Sequence, residues 1–216
     1  VSNDLVRGHT TLGDFDLTIL TDGTYLLDGG AMFGVVPKPM WEKRAPANER
    51  NQIVLGTNTV VVRTGKHTVV IETGIGNKLP EKLRSIFDAR QLLPQSFQAA
   101  GIRPEEVDVV INTHLHFDHC GWNTTRNEDG SLVPTFSNAR YFVHRGEVEH
   151  GHLQLERDAV SYISENYDPL IASGQMTLVE PPHGGMEIVP GVTVDVFPGH
   201  TAQMMAVMLD SGGRRA

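Results

Sequence analysis

Residues 114 to 119 read His-Leu-His-Phe-Asp-His, which places four potential metal-binding side chains within six positions. In an extended or loop conformation, residues two apart point the same way. His114 and His116 can therefore converge on one ion while Phe117 packs away from it. Asp118 and His119 follow one step further along. Neutral imidazoles suit Zn²⁺ or a similar first-row divalent ion, and three of them with an open fourth position make a catalytic rather than a closed structural site. A third imidazole is offered by His200 in Phe197-Pro198-Gly199-His200-Thr201, where Gly199 lets the backbone come close to an ion.

Strand ends must position these groups. Val107 to Asn112 (VDVVIN) is apolar and β-branched enough to be a buried strand, so the ligands sit where it runs out, as sites in α/β proteins do. His200 likewise follows the β-like run Val192 to Phe197. Further strands are expected at Phe15 to Leu20, Ala139 to Val143, Met176 to Glu180 and Ala206 to Leu209. Thr59 to Arg63 and Thr68 to Glu72, separated by Thr64-Gly65-Lys66-His67, read as a hairpin. Helices are expected from Pro80 to Phe87 and from Gln91 to Ala100, the second stopped by Gly101. A helical region from Gly146 to about Ala172 is suggested by Val160, Ile163, Tyr167 and Leu170 at helical spacing.

Between these elements, Met32 to Asn51 carries several prolines without a clean period and reads as a long surface loop. Its Met32, Phe33, Met40 and Trp41 are expected to line a substrate pocket. The same apolar loop would equally cover a neighbouring subunit, so a homodimer is an open alternative. At the other end, Asp210 to Ala216 reads as a strand followed by a Gly-Gly turn with nothing to pair with, an edge that suggests truncation.

At 216 residues and 39% apolar, the chain can bury a sizeable core. Its 18 Lys and Arg against 26 Asp and Glu leave a formal charge of −8, which argues against nucleic acid or an anionic membrane as the main partner and leaves a small-molecule substrate open. No apolar run is long enough to span a membrane, and Val1 to Thr10 lacks both an initiator Met and the basic-then-apolar pattern of a leader. Cys120 is the only cysteine, which excludes an intrachain disulfide and fits a reducing, cytoplasmic setting.

The hexapeptide resembles the HxHxDH signature of the metallo-β-lactamase superfamily at His114, His116, Asp118 and His119, and His200 corresponds to the family's later Gly-His. Ile71-Glu72-Thr73-Gly74 is similar to the family's strand-ending Asp-Thr-Gly with Glu72 in place of Asp, and Gly101 to His114 is similar to its lead-in. The resemblance runs from about Thr59 to Arg215. His119, Asn138-Ala139-Arg140 and Arg145-Gly146-Glu147 look most like the lactonase and organophosphate-hydrolase group.

The resemblance implies an α/β (α+β) fold, the four-layer αβ/βα sandwich, with residues 1–216 forming one domain that is incomplete at its C-terminus. It implies that His114, His116 and His200 bind a first metal and that Asp118 and His119 begin a second site. The bridging Asp and C-terminal His that complete the family's second site do not occur in this chain. Two zinc ions are implied for the complete enzyme, with Mn, Fe or Co as alternatives. A metal-bound hydroxide would attack a lactone or small ester-like bond, with Asp118 holding or accepting the nucleophile's proton. Glu72 and Thr113 are candidates, by the same analogy, to orient the histidines.

Three rival readings stand beside this one. A thioesterase of the glyoxalase II kind shares the signature, a nuclease of the superfamily would need a basic groove, and a metal-binding but inactive fragment or homologue needs no substrate at all. Among the other candidate ligands, His9, His67 and His183 read as turn or surface residues, His144, His150 and His152 as a loose surface group near a helix start, and Cys120 as a small buried residue beside the site.

Overall fold

The computed structural model describes residues 5–216; Val1 to Asp4, part of the stretch read for a leader, lie outside the described residues. From the N-terminus come β1 (Val6–Leu12), β2 (Phe15–Asp28), the short helices α1 (Gly29–Phe33) and α2 (Lys38–Trp41), β3 (Gln52–Arg63) and β4 (Thr68–Ile71). Two helices, α3 (Glu81–Phe87) and α4 (Leu93–Ala99), lead to β5 (Val109–Ile111) and to α5 (Phe117–Cys120). There follow β6 (Thr124–Arg126), β7 (Leu132–Pro134), β8 (Arg140–His144), α6 (Arg145–Leu153), α7 (Asp168–Ala172) and β9 (Met176–Val179). The last strands are β10 (Met186–Val189), β11 (Val192–Val196), β12 (Met205–Ser211) and β13 (Arg214–Arg215).

Seven strands form a mixed sheet in the order β1-β2-β3-β4-β5-β8-β9, antiparallel from β1 to β4 and parallel from β4 to β9. A second, antiparallel sheet runs β10-β11-β12-β13, and β6 pairs with β7 alone. Period-two alternation sorts the core between layers. Val61, Val70 and Val110 face Phe97, Tyr167 and Leu170 on the helical side, while their neighbours Val62, Val69 and Val109 face Val192, Val194 and Leu209 of the second sheet. The central strand β5 is buried on both faces, which is why it reads as an unbroken Val-Val-Ile run. No helix among the described residues is long and apolar enough to cross a membrane.

Three expectations are corrected. The region from Gly146 to Ala172 is not one helix: α6 ends where Gln154 turns left-handed (φ 48°), and irregular turns carry the chain to α7. Val160 is exposed there, so its helical spacing marked no buried face. The stretch from Met32 to Asn51 folds into two helical turns whose Trp41 is buried against Gly29 and stacked on Phe33 at 4.9 Å. Its apolar side chains line their own depression, away from the histidines. The terminal strand edge is not unpaired either, because Gly212 and Gly213 turn the chain so that β13 pairs with β12.

Asp22, fully buried at an irregularity in β2, ties the layers together beneath the site. Its carboxylate accepts hydrogen bonds from Ile75 N (2.7 Å), Leu93 N (2.7 Å) and Trp122 Nε1 (2.9 Å). Burial pushes its pKa up to about 6 although these donors pull the other way. Close by, Gly76 and Gly121 bring two loops backbone to backbone, where an added Cβ would lie 2.1 Å and 1.9 Å from carbonyl oxygens. Asp22→Ala would orphan these buried donors together with Gly76 N, which donates at 3.4 Å, and should lower the unfolding free energy in urea by about 3 kcal/mol or more. A loss below about 0.5 kcal/mol, the range of a neutral surface change, would contradict this role.

Candidate metal centre

The site is built where β4 and β5 end side by side. Glu72, immediately after β4, takes a left-handed backbone (φ 64°) that few non-glycine residues adopt. One oxygen of its carboxylate accepts from Thr113 N at 2.6 Å, and the other lies 2.7 Å from His119 Nδ1. Thr73 N and Asn112 Nδ2 both donate to the His119 carbonyl, at 2.7 Å and 3.2 Å. From the opposite side, the buried carboxylate of Glu147 on α6 accepts from Leu115 N at 3.2 Å and from the Tyr162 hydroxyl at 3.4 Å. Alternate amides of the hexapeptide region are thus held by two carboxylates on different elements.

Within this frame His114, His116 and His200 converge. One potential ligand atom from each lies within 4.8 Å of the others, and His116 Nδ1 is 3.0 Å from His200 Nε2. Thr113 Oγ1 engages His114 Nδ1 at 2.9 Å, which fixes the ring and turns Nε2 inward. That Nε2 is buried and has no hydrogen-bond partner among the described residues. Leaving such an atom unsatisfied costs about 1–3 kcal/mol, which a bound cation would offset. Burial, followed by the neighbouring imidazoles, lowers the pKa of His114 to about 2; burial and then His200 lower that of His116 to about 4. Neutral imidazoles with inward lone pairs are the donor set a zinc-like ion requires.

Asp118 and His119 stand at the edge of this cluster rather than within the three-residue set. The His119 ring centroid is 4.0 Å from that of His114, and its Nε2 is 3.4 Å from Asp118 Oδ2. The same Asp118 oxygen accepts from the Tyr25 hydroxyl at 2.9 Å. Burial opposes a charge on His119, but Glu72 and then Asp118 outweigh it and raise its pKa to about 9.

The remaining candidates lie outside the cluster. His144 Nδ1 accepts from Gly146 N, His150 pairs with Asp158 at 2.9 Å, and His152 pairs with Asp168 at 2.7 Å. The Cys120 thiol is fully buried, directs Sγ to the Leu115 and His116 carbonyls, and has its pKa pushed up by burial. Tyr25 and Tyr162 carried no sequence signal of a role at the site, and Glu147 entered only as part of the Arg145-Gly146-Glu147 resemblance, with no role assigned to it. Tyr25 and Asp118 are 93 residues apart, and Glu147 reaches a backbone amide, a contact that leaves no pairing pattern in sequence.

In metal-free protein, His119 should titrate near 9, and Glu72→Gln should return it toward the ordinary 6.5 in an NMR pH titration. Because the folded pKa is the higher one, the pair's stabilisation is complete below about 6.5 and is lost as pH rises through about 9. An unshifted His119 in the parent chain would contradict the pairing.

Residues 53–126 match the family model described as the metallo-beta-lactamase superfamily. An N-acyl homoserine lactonase of Bacillus cereus is 24% identical over 163 residues, covering 70% of this chain and 57% of the lactonase. The match thus spans little more than half of that relative's length. A probable metal-dependent hydrolase from Staphylococcus aureus shares the fold with a TM-score of 0.85 at 33% identity, covering 96% of this chain and 73% of that one. AidC, a dizinc quorum-quenching lactonase solved with N-hexanoyl-L-homoserine, has a TM-score of 0.75 at 21% identity, covering 99% and 74%. With a third of its residues shared across most of a solved metal-dependent hydrolase, and with the family model spanning the β3-to-α5 frame of the histidines, this chain belongs to the metallo-beta-lactamase superfamily.

Proposed function

We propose that this chain carries the metal centre of a hydrolase that opens a lactone or cleaves a small ester-like bond. The observation that carries this reading is the buried, unpartnered His114 Nε2 facing His116 and His200. The lactonases among its relatives and structural neighbours support the substrate class. His114, His116 and His200 would hold a first ion, and Asp118 and His119 would contribute to a second. Zinc fits three imidazoles, as do Mn, Fe and Co. Bound there, such an ion would polarise the bond under attack and bring the pKa of water from 15.7 toward about 7.

The chain's own residues supply positioning and proton handling. The Tyr25 hydroxyl fixes Asp118 through Oδ2, so the carboxylate meets the attacking water in one orientation and holds or accepts its proton. His119 must give up its proton before it can ligate, and Glu72 then accepts a hydrogen bond from the neutral ring's Nδ1–H. Thr113 fixes the His114 ring and Glu147 the backbone at Leu115, between the first two histidines, so little reorganisation of that pair is left for the reaction itself.

His116→Ala should abolish both zinc binding, read by calorimetry, and hydrolysis; a variant retaining both would contradict the assignment. A chelator should inactivate the protein, and Zn²⁺, Mn²⁺ or Co²⁺ should restore it. Across acyl lactones, aryl esters, phosphotriesters and thioesters, lactones should give the highest kcat/KM. A dominant thioesterase activity would instead favour a glyoxalase II-like function.

A further inference from the structure

The imidazoles of His114 and His116 are not held alike. Thr113 Oγ1 lies 2.9 Å from His114 Nδ1 and leaves Nε2 to face inward. For His116 the only ring contact at hydrogen-bonding distance among the described residues is Nδ1 to His200 Nε2 at 3.0 Å, between two atoms that would both be ligands. An ion held by both takes that contact away. What then supports the His116 ring is packing.

Three rings pack on it, and two of them, His114 and His200, belong to the same ligand set. The third is Tyr162, 4% exposed in the wall of a cavity of about 520 Å³ beside His116 and His200. Its ring meets that of His116 edge to face, with centroids 4.9 Å apart and planes at 76°. Aromatic pairs favour this distance and geometry. Tyr162 is itself braced by the His150 ring at 5.4 Å, whose Nε2 is fixed by Asp158 at 2.9 Å. Gly151 of α6 gives it room, since an added Cβ there would lie 2.9 Å from Tyr162 Cδ1 and 2.7 Å from the Tyr167 hydroxyl. The Tyr162 hydroxyl contributes less, because its 3.4 Å to Glu147 exceeds the usual O–H···O range of about 2.5–3.0 Å.

We propose that Tyr162 is a positioning residue for the metal centre: its ring, rather than a hydrogen bond, sets the orientation in which His116 presents Nδ1. This rests on the metal-binding reading above and deepens it. An imidazole free to turn about its side-chain bonds loses that freedom on ligating an ion, and one already packed in place has less to lose. An aromatic pair contributes up to about tenfold in an equilibrium constant, so the effect is readable in metal affinity.

The test measures Zn²⁺ affinity by competition with a chromophoric chelator, and the visible absorption of the Co²⁺ form at saturation, where affinity no longer matters. Tyr162→Phe should stay within about twofold of the parent chain, whereas Tyr162→Leu, which keeps an apolar cover without the ring, should bind about fivefold to tenfold more weakly and change the Co²⁺ bands. Gly151→Ala touches no ligand, yet by displacing Tyr162 it should weaken Zn²⁺ binding at least about twofold. A leucine variant matching the parent in both readouts overturns the proposal. So does a phenylalanine variant as weak as leucine, which would give the role to the hydroxyl and Glu147. If the leucine variant does not fold, judged by circular dichroism, Gly151→Ala decides, and parental affinity with unchanged Co²⁺ bands there overturns the proposal. In each of these cases the three-imidazole site itself stands; a parent chain that binds no Zn²⁺ instead contradicts the metal-binding reading and removes the proposal with it.

Discussion

The Glu72 carboxylate spans the gap between the ends of two parallel strands, and the arrangement of the histidines depends on that bridge. One oxygen fixes the backbone at Thr113, the first residue after the buried run of β5 and Asn112, and the other holds the His119 ring. A carboxylate buried this far needs such partners, because an ion without them is driven to protonate or to the surface. The left-handed backbone at Glu72 turns the side chain across the strand ends instead of along β4. Asp22 repeats the device one layer below, where a single carboxylate gathers amides from two loops and an indole. The loops of the site are therefore held by buried charge as much as by apolar packing.

This framework divides the imidazoles electrostatically. His114 and His116, deprived of water and set beside other imidazoles, are neutral far below physiological pH, whereas His119, beside two carboxylates, keeps its proton. A cation held by His114 and His116 would displace no proton from either ring. One binding His119 must displace one. Any ion ligated by His119 would therefore bind with a pH dependence that His114 and His116 do not impose.

The ligands were legible in sequence because their spacing is local. Two histidines separated by one residue at a strand end share a face in nearly any extended backbone, and a valine-rich run of that length has few places to be except a buried strand. The β3–β4 hairpin and the stops of α3 and α4 followed from equally local signals at Gly65, Pro80 and Gly101. Between residues 146 and 172 the apolar spacing was genuine but misleading. The chain leaves the α-helix at Gln154 and runs through two short 3-10 turns that bring Tyr162 to His116 and Glu147 before α7 begins. The contacts of Tyr25 and Glu147 were not legible for a different reason: their partners are distant in sequence and chosen by tertiary packing. The loop around Trp41 was read as a substrate-pocket wall because its composition is apolar; Trp41 stacks on Phe33 and covers Gly29, while Val36 and Met40 stay exposed beside a depression that shares no residue with the one at His116 and His200.

His114, His116 and His200, brought together from the end of β5 and the turn before β12, are proposed to form a ready-made divalent site. Anomalous diffraction at the zinc edge from crystals of this chain soaked in Zn²⁺ tests it most directly. A peak is expected about 2.0–2.1 Å from His114 Nε2, His116 Nδ1 and His200 Nε2. Zinc bound only at surface pairs such as His150–Asp158, with His114 Nε2 hydrogen-bonded to water instead, would contradict it.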